Sequence, residues 1–268
     1  MKGIAMKIFR FILRESEKTL ENIFDKHFKS SNKKFEIEDA ITLGFYEDIV
    51  RKVDALKILL DANKLVSIDS ITRDIFESYV YFKLLLTNER RLYAKSYMAA
   101  KEISELTMYN KLIEDNKNGR KLRELLNTSI ERLNKDIGFN SEEKLKRISN
   151  IYTEVFEKRR KNQKWYNLDS KTQNLEQLCN KLDLFAEYNL VYRLLSAEVH
   201  ASDVMKRWKF EPNQVSVFEA IDNKDMNIKM INLFLLDATR ELYSFYGLKK
   251  ELRNFNTLLS INYNYSKK

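Results

Sequence analysis

Two histidines occur in the 268 residues, and imidazole is the side chain best suited to moving protons near neutral pH. His27 lies near the end of an amphipathic stretch among Lys26 and Lys29, where its ordinary role is that of a cation at a helix C-terminus. His200 is placed differently. It ends the segment Tyr188-Asn-Leu-Val-Tyr192-Arg193-Leu-Leu-Ser196-Ala-Glu-Val-His200. At about 100° per residue, Arg193 and His200 differ by roughly 20° in azimuth, with Ser196 about 60° to one side and Asn189 one turn earlier. The segment therefore reads as a helix with a polar stripe opposite Leu190, Leu194, Leu195, Ala197 and Val199. A guanidinium and an imidazole on one face can bind a phosphate and shuttle its protons. They can equally hydrogen-bond a neighbouring helix.

A second polar pair, Arg73 and Glu77, interrupts the apolar run from Ile71 to Leu86. Buried charge needs a partner. An ion pair, within the helix or to another helix, would satisfy both residues. Alternatively Glu77 would orient Arg193 or His200, as carboxylates behind a working side chain do.

These residues must be held by helices. One proline and five glycines leave little punctuation for sheets and tight turns, and the periodicity predicts an all-α bundle of about eight to ten helices. Runs are expected over Met6 to Phe28, Glu36 to Ala62, Ile68 to Leu86, Asn88 to Glu114, Lys121 to Ile137, Ser141 to about Lys161, Leu175 to Leu184, Phe185 to Ala201 and Met226 to Tyr246. Arg207 to Glu219, with Trp208, Phe210 and Pro212, reads as irregular. The chain divides into an N-terminal helical extension (1–66), a bundle core (67–247) and a polar, basic tail (248–268).

Composition bounds the rest. A single cysteine, Cys179, excludes an internal disulfide and a cysteine-based metal cage, and points to a reducing, cytoplasmic setting. No stretch reaches the roughly 18 apolar residues of a membrane span, so no membrane partner is expected. The formal charge of +9 favours polyanions such as RNA. The basic run from Lys158 to Lys164, with Arg159, Arg160, Lys161 and Lys164, could follow a nucleic-acid backbone, as could Lys117 to Arg123, although such runs are commonly solvated faces. Trp165, Tyr166, Trp208 and Phe210 could stack bases or pack at helix junctions. No phosphate loop, paired-histidine metal motif or nucleophile elbow is present, so neither cofactor nor metal is expected.

Arg73-x-x-x-Glu77 together with Tyr192-Arg193-x-x-Ser196-x-x-x-His200-x-Ser202, preceded by Trp165-Tyr166, resembles an uncharacterised helical family of bacteria, in matching order from about Ile71 to Ser202. The Arg193 to His200 spacing also resembles the Arg-x(4 to 6)-His signature of HEPN domains, helical bundles that include toxin, antiphage and RNA-processing ribonucleases. The match uses the upper limit of that spacing, and Leu194 stands where those nucleases usually carry a polar residue. This resemblance implies a HEPN-like core and a metal-independent endoribonuclease of stress response or antiphage defence. His200 would be the acid/base and Arg193 the phosphate ligand, with Ser196, Tyr192, Glu77 and Arg73 in support. It also implies a composite site at a homodimer interface and a possible antitoxin or regulatory partner. The chemistry is consistent with that: one chain offers one suitable histidine, and seven helical residues separate the two Cα atoms by about 10 Å. Two copies would supply both an acid and a base. The alternative is a non-enzymatic helical module that binds RNA or protein.

Overall fold

The computed structural model describes residues 2–65, 67–137, 141–155, 163–193, 208–212, 214–217 and 223–263. Their architecture is the expected all-α one, with one short hairpin added. In chain order the elements are α1 (Lys2–Ile23), a π-helical turn (Phe24–Lys29), α2 (Ile37–Asp61), α3 (Ile68–Leu84), α4 (Arg90–Ile113), α5 (Lys117–Leu125), α6 (Ile130–Ile137) and α7 (Ser141–Val155). They continue with α8 (Leu175–Lys181), a short α9 (Phe185–Glu187) leading into a π-helical segment (Tyr188–Arg193), strands β1 (Trp208–Glu211) and β2 (Gln214–Val217), α10 (Lys224–Phe245) and α11 (Lys249–Tyr263). None of the described helices is long and apolar enough to cross a membrane.

Two compact units are formed. One comprises residues 1–88 and 179–268, the other residues 89–178. In the first, α1 buries Phe9, Ile12, Ser16, Thr19 and Ile23, a 3-4 spacing that gives one continuous face against α10. α2 starts at a reciprocal capping box between Glu36 and Asp39 and packs on α3, with Tyr46 meeting Phe82. α3 in turn packs on α10, where Phe234 meets both Phe76 and Tyr79. The hydroxyl of Tyr46 bonds Thr239 Oγ1 at 2.8 Å and donates to the Ser16 carbonyl at 3.1 Å, so three helices share one buried polar node. Helices α1 and α2 thus belong to the same core as α3 and α10 and are not an appendage to it. Gly44 does not interrupt α2, since a lone glycine costs only about 1 kcal/mol against the packing on both sides.

The stretch after Gly247, expected as a tail, is helix α11. Gly247 turns the chain at φ 72°, and Leu252, Phe255 and Leu259 follow at helical spacing, with Phe255 and Leu259 buried. Interspersed Lys and Asn hide that stripe from a reading of composition. His27 Nδ1 lies 2.7 Å from the carbonyl of Tyr246, at the C-terminus of α10; because a carbonyl only accepts, this ring nitrogen carries the proton and donates it. The irregular segment around Pro212 contains an antiparallel hairpin, β1 pairing β2 with Phe210 opposite Val215.

The second unit packs α4 against α5, α6 and α7 around Leu106, Tyr109, Leu112, Leu133 and Ile148. Arg147 pairs with the buried Glu102, and Lys144 with Glu105 at 3.1 Å. The run expected as one helix from Lys121 to Ile137 is two. Asn127 takes a left-handed φ of 48°, which asparagine tolerates, and the chain reverses between α5 and α6. Trp165 packs edge-on to Tyr97, its carbonyl accepts from Ser96 Oγ, and Tyr166 is buried. These two aromatics serve a helix junction.

Candidate functional site

The segment that ends at Arg193 is anchored to α3 by one side chain. Arg73 lies with its Cζ 4.1 Å from the centroid of the Tyr192 ring, and its Nη2 donates to the Tyr192 hydroxyl at 2.5 Å. On the same segment Tyr188 stacks on Tyr192 with centroids 5.1 Å apart and planes inclined by 17°. The order Tyr188, Tyr192, Arg73 is therefore a stack in which a guanidinium covers an aromatic face. Arg73 forms no ion pair among the described residues, and its buried Nε lacks a hydrogen-bond partner there. Among those residues its charge is balanced by the ring and hydroxyl of Tyr192.

The anticipated pairing of Arg73 with Glu77 does not occur. Glu77 instead accepts from the hydroxyl of Tyr81 at 2.8 Å, one turn further along α3. Both residues sit on the expected helix, but the partners they bond are tyrosines, whose phenols a matching of charges alone overlooks.

The face of the Tyr188–Arg193 segment also differs from the expected one. Val191 and Tyr188 are the buried residues, whereas Leu190 is 43% exposed. Asn189, expected on the polar stripe, donates its Nδ2 back to the Phe185 carbonyl at 2.8 Å. The cause is the π-helical register: i→i+5 bonding advances each side chain by less than the 100° of an α-helix, so an azimuth computed on α-helical spacing rotates away from the true one. Arg193 is the last residue of this segment. The side chain of Arg193 and all of Ser196, His200, Arg159, Arg160 and Lys161 lie outside the described residues. Lys164 is exposed, and its carbonyl accepts from the Asn167 amide at 3.0 Å.

A second cluster, which the sequence does not single out, joins α3 to α10. Lys83 bonds Asp237 at 3.1 Å and also Glu241, while Tyr79 donates to Asp237 at 2.6 Å. Burial pushes the Glu241 carboxyl up despite Lys83. Burial opposes the charge on Lys83, but its bonds to Glu241 and Asp237 outweigh that and leave it raised. Burial, and then the Asp237 charge, push the Tyr79 phenol up as well. All four groups have partners, so the cluster clamps α3 to α10 without offering an open valence. The i, i+4 spacing of Tyr79 and Lys83, matched by Asp237 and Glu241, is the signal that could have found it. Among the described residues no three His, Cys, Asp or Glu side chains converge as a set of metal ligands.

Comparison with curated proteins and with solved structures gives no match. A family model does match, over residues 39–214, a span that takes in α2, α3 with Arg73, the Tyr188–Arg193 segment and His200. That is well over half of the 268 residues, and the chain belongs to the Family of unknown function (DUF5677).

Proposed function

We propose that this chain is a metal-independent endoribonuclease of HEPN type, cytoplasmic and acting in stress response or antiphage defence. His200 serves as acid and base, and Arg193 holds the scissile phosphate. The observation that carries the reading is the Arg73–Tyr192 stack, which holds a guanidinium, with no carboxylate partner among the described residues, against the residue immediately before Arg193. A cation held in place before the reaction stabilises charge that develops on a phosphate, because no reorganisation is needed when that charge appears. The π-helical register of Tyr188–Arg193 gives further support, since such wide turns recur at functional sites.

Cleavage of RNA by its own 2′-hydroxyl requires a base for that hydroxyl, an acid for the leaving 5′-oxygen and a cation for the phosphorus-centred charge. Imidazole meets the first two needs and guanidinium the third. With one suitable histidine per chain, a homodimer supplies both proton-transfer roles, and an antitoxin or regulatory partner would act by denying RNA access to that pair. Ser196, Tyr192 and Glu77 position the two principal groups.

The test is substitution. His200→Ala and Arg193→Ala are each expected to keep the wild-type circular dichroism and oligomeric state while losing cleavage of total RNA. Retained cleavage in either folded variant refutes the assignment. RNA binding without cleavage by any form, including wild type, would instead make the chain a non-enzymatic RNA-binding module.

A further inference from the structure

In the unit formed by residues 89–178, α5 and α6 and their four-residue connection enclose an open cleft of about 780 Å³. Its wall mixes charged, polar and apolar groups. Arg120, Arg123 and Glu124 come from α5, Asn127, Thr128 and Ser129 from the connection, and Glu131 and Arg132 from α6. From Lys117 to Arg132 the chain carries five cations, Lys117, Arg120, Lys121, Arg123 and Arg132, against Glu124 and Glu131.

Arg123 is the organising member. Its Nη1 donates to the backbone carbonyls of Leu112 and Glu114, the latter at 3.1 Å. Those acceptors are neutral, so the guanidinium is held in one orientation with other donors still to use, while its charge also acts on the nearby Glu131 carboxylate. Arg120 meets Asp115 at 3.3 Å, but both side chains are mostly exposed, and a pair so placed is screened by water. The bond from Ser129 holds the Glu131 carboxyl below the usual carboxylate range, and its place in the first turn of α6 lets the helix dipole absorb part of its charge. The net charge of the cleft is positive.

Guanidiniums, hydroxyls and an amide are the groups that contact phosphate and sugar, and no aromatic ring lines this wall to stack a base. We propose that the α5–α6 cleft is a docking groove for the phosphate backbone of RNA, indifferent to sequence. This rests on RNA being the substrate of the chain, and it assigns substrate holding to residues outside the Arg193 to His200 segment. The exposed Leu125 and Leu126 lie on the same hairpin but not on the cleft wall, so their side chains do not contribute.

The experiment is fluorescence anisotropy of labelled 20-nucleotide RNAs, one of mixed sequence and one of uridine only, with the full-length His200→Ala chain in EDTA. Against it are compared a double charge reversal, Arg120→Glu with Arg132→Glu, the conservative pair Arg120→Lys with Arg132→Lys, and Leu125→Ser with Leu126→Ser. All four positions are exposed, and thermal melts check that each variant folds. The reversal is expected to weaken both RNAs by roughly tenfold or more and to flatten the salt slope by about 1.4, two contacts at about 0.7 each for a single strand. The lysine and serine variants should bind nearly as the parent does. The groove is overturned if the reversal changes neither affinity nor slope, if only the mixed sequence is affected, if the serine pair loses as much, or if the parent binds no RNA. RNA held through the groove but never cut by wild type sinks the nuclease reading and leaves the groove. Wild-type cleavage with undisturbed binding in the reversal variant does the opposite.

Discussion

Replacing Arg73 with alanine removes the cation from the Tyr192 face and the donor to the Tyr192 hydroxyl, while leaving α3 a good helix. A cation–π contact is worth about 0.5–2 kcal/mol and a hydrogen bond from a charged donor about 1.5–3 kcal/mol. Arg73 is only half buried, which favours the lower ends of both ranges. Truncation also relieves the unsatisfied Nε. The net expectation is a loss of about 2 kcal/mol, felt where the Tyr188–Arg193 segment docks on α3, or about a 30-fold rise in its local opening. Hydrogen exchange with mass spectrometry on peptides spanning Phe185 to Arg193 reads this directly: protection should fall there by that factor, while α1, α2 and α10 retain theirs. Arg73→Lys, which keeps the charge but not the planar stack, should fall between. Unchanged protection of the segment in a folded Arg73→Ala protein would show that the stack does not anchor it, and the main support for the functional reading would go with it.

The buried Tyr46 phenol gives a pH prediction. Desolvation, against its hydrogen bonds to Thr19, Thr239 and Ser16, pushes it up from 10.0 to about 12. A folded value above the unfolded one means its contribution is complete below pH 10 and is lost as pH rises through 12. Over that window unfolding free energy should drop by roughly 3 kcal/mol, at about 1.4 kcal/mol for each pH unit between the unfolded and folded values, and Tyr46→Phe should remove that part of the slope. Denaturant titrations with equal pH slopes in both proteins would refute it. Tyr79 moves in the same direction and adds to the wild-type slope. At Gly119, an added Cβ would lie 2.1 Å from the Glu114 carbonyl oxygen, in the turn where Asn116 caps α5. Gly119→Ala should therefore cost about 1–3 kcal/mol, seen as earlier melting of the unit at 89–178, and a neutral substitution would mean that this turn relaxes freely.

Helix identity was legible where apolar residues recur without competition. The spacing of Ile75, Tyr79, Phe82 and their neighbours placed α3 to within two residues of its observed ends, and the spacing in α2 carried through Gly44. It was less legible where backbone geometry departs from the α-helix. Nothing in Tyr188 to Arg193 announces i→i+5 bonding, so the face assigned to Leu190 and Asn189 was rotated from the one that Val191 and Tyr188 bury. The α5–α6 reversal depends on one left-handed asparagine, and α11 on two buried residues diluted by lysine and asparagine. For the site, the sequence singled out Arg73, Glu77 and Tyr192. It could not pair them, because partner choice among tyrosines and carboxylates is a three-dimensional matter. The Lys83 cluster shows in the sequence only as two separate i, i+4 pairs, and nothing there joins them, because Asp237 and Glu241 lie more than 150 residues along the chain from Lys83.

The central claim, that this chain cuts RNA without a metal, is tested most directly by the ends it leaves. Wild-type protein incubated with RNA in EDTA should produce fragments with 2′,3′-cyclic phosphate and 5′-hydroxyl termini, because the 2′-hydroxyl is the nucleophile in the proposed chemistry. RNA left intact by a folded, dimeric protein, or cut only when a divalent metal is restored, would contradict the account.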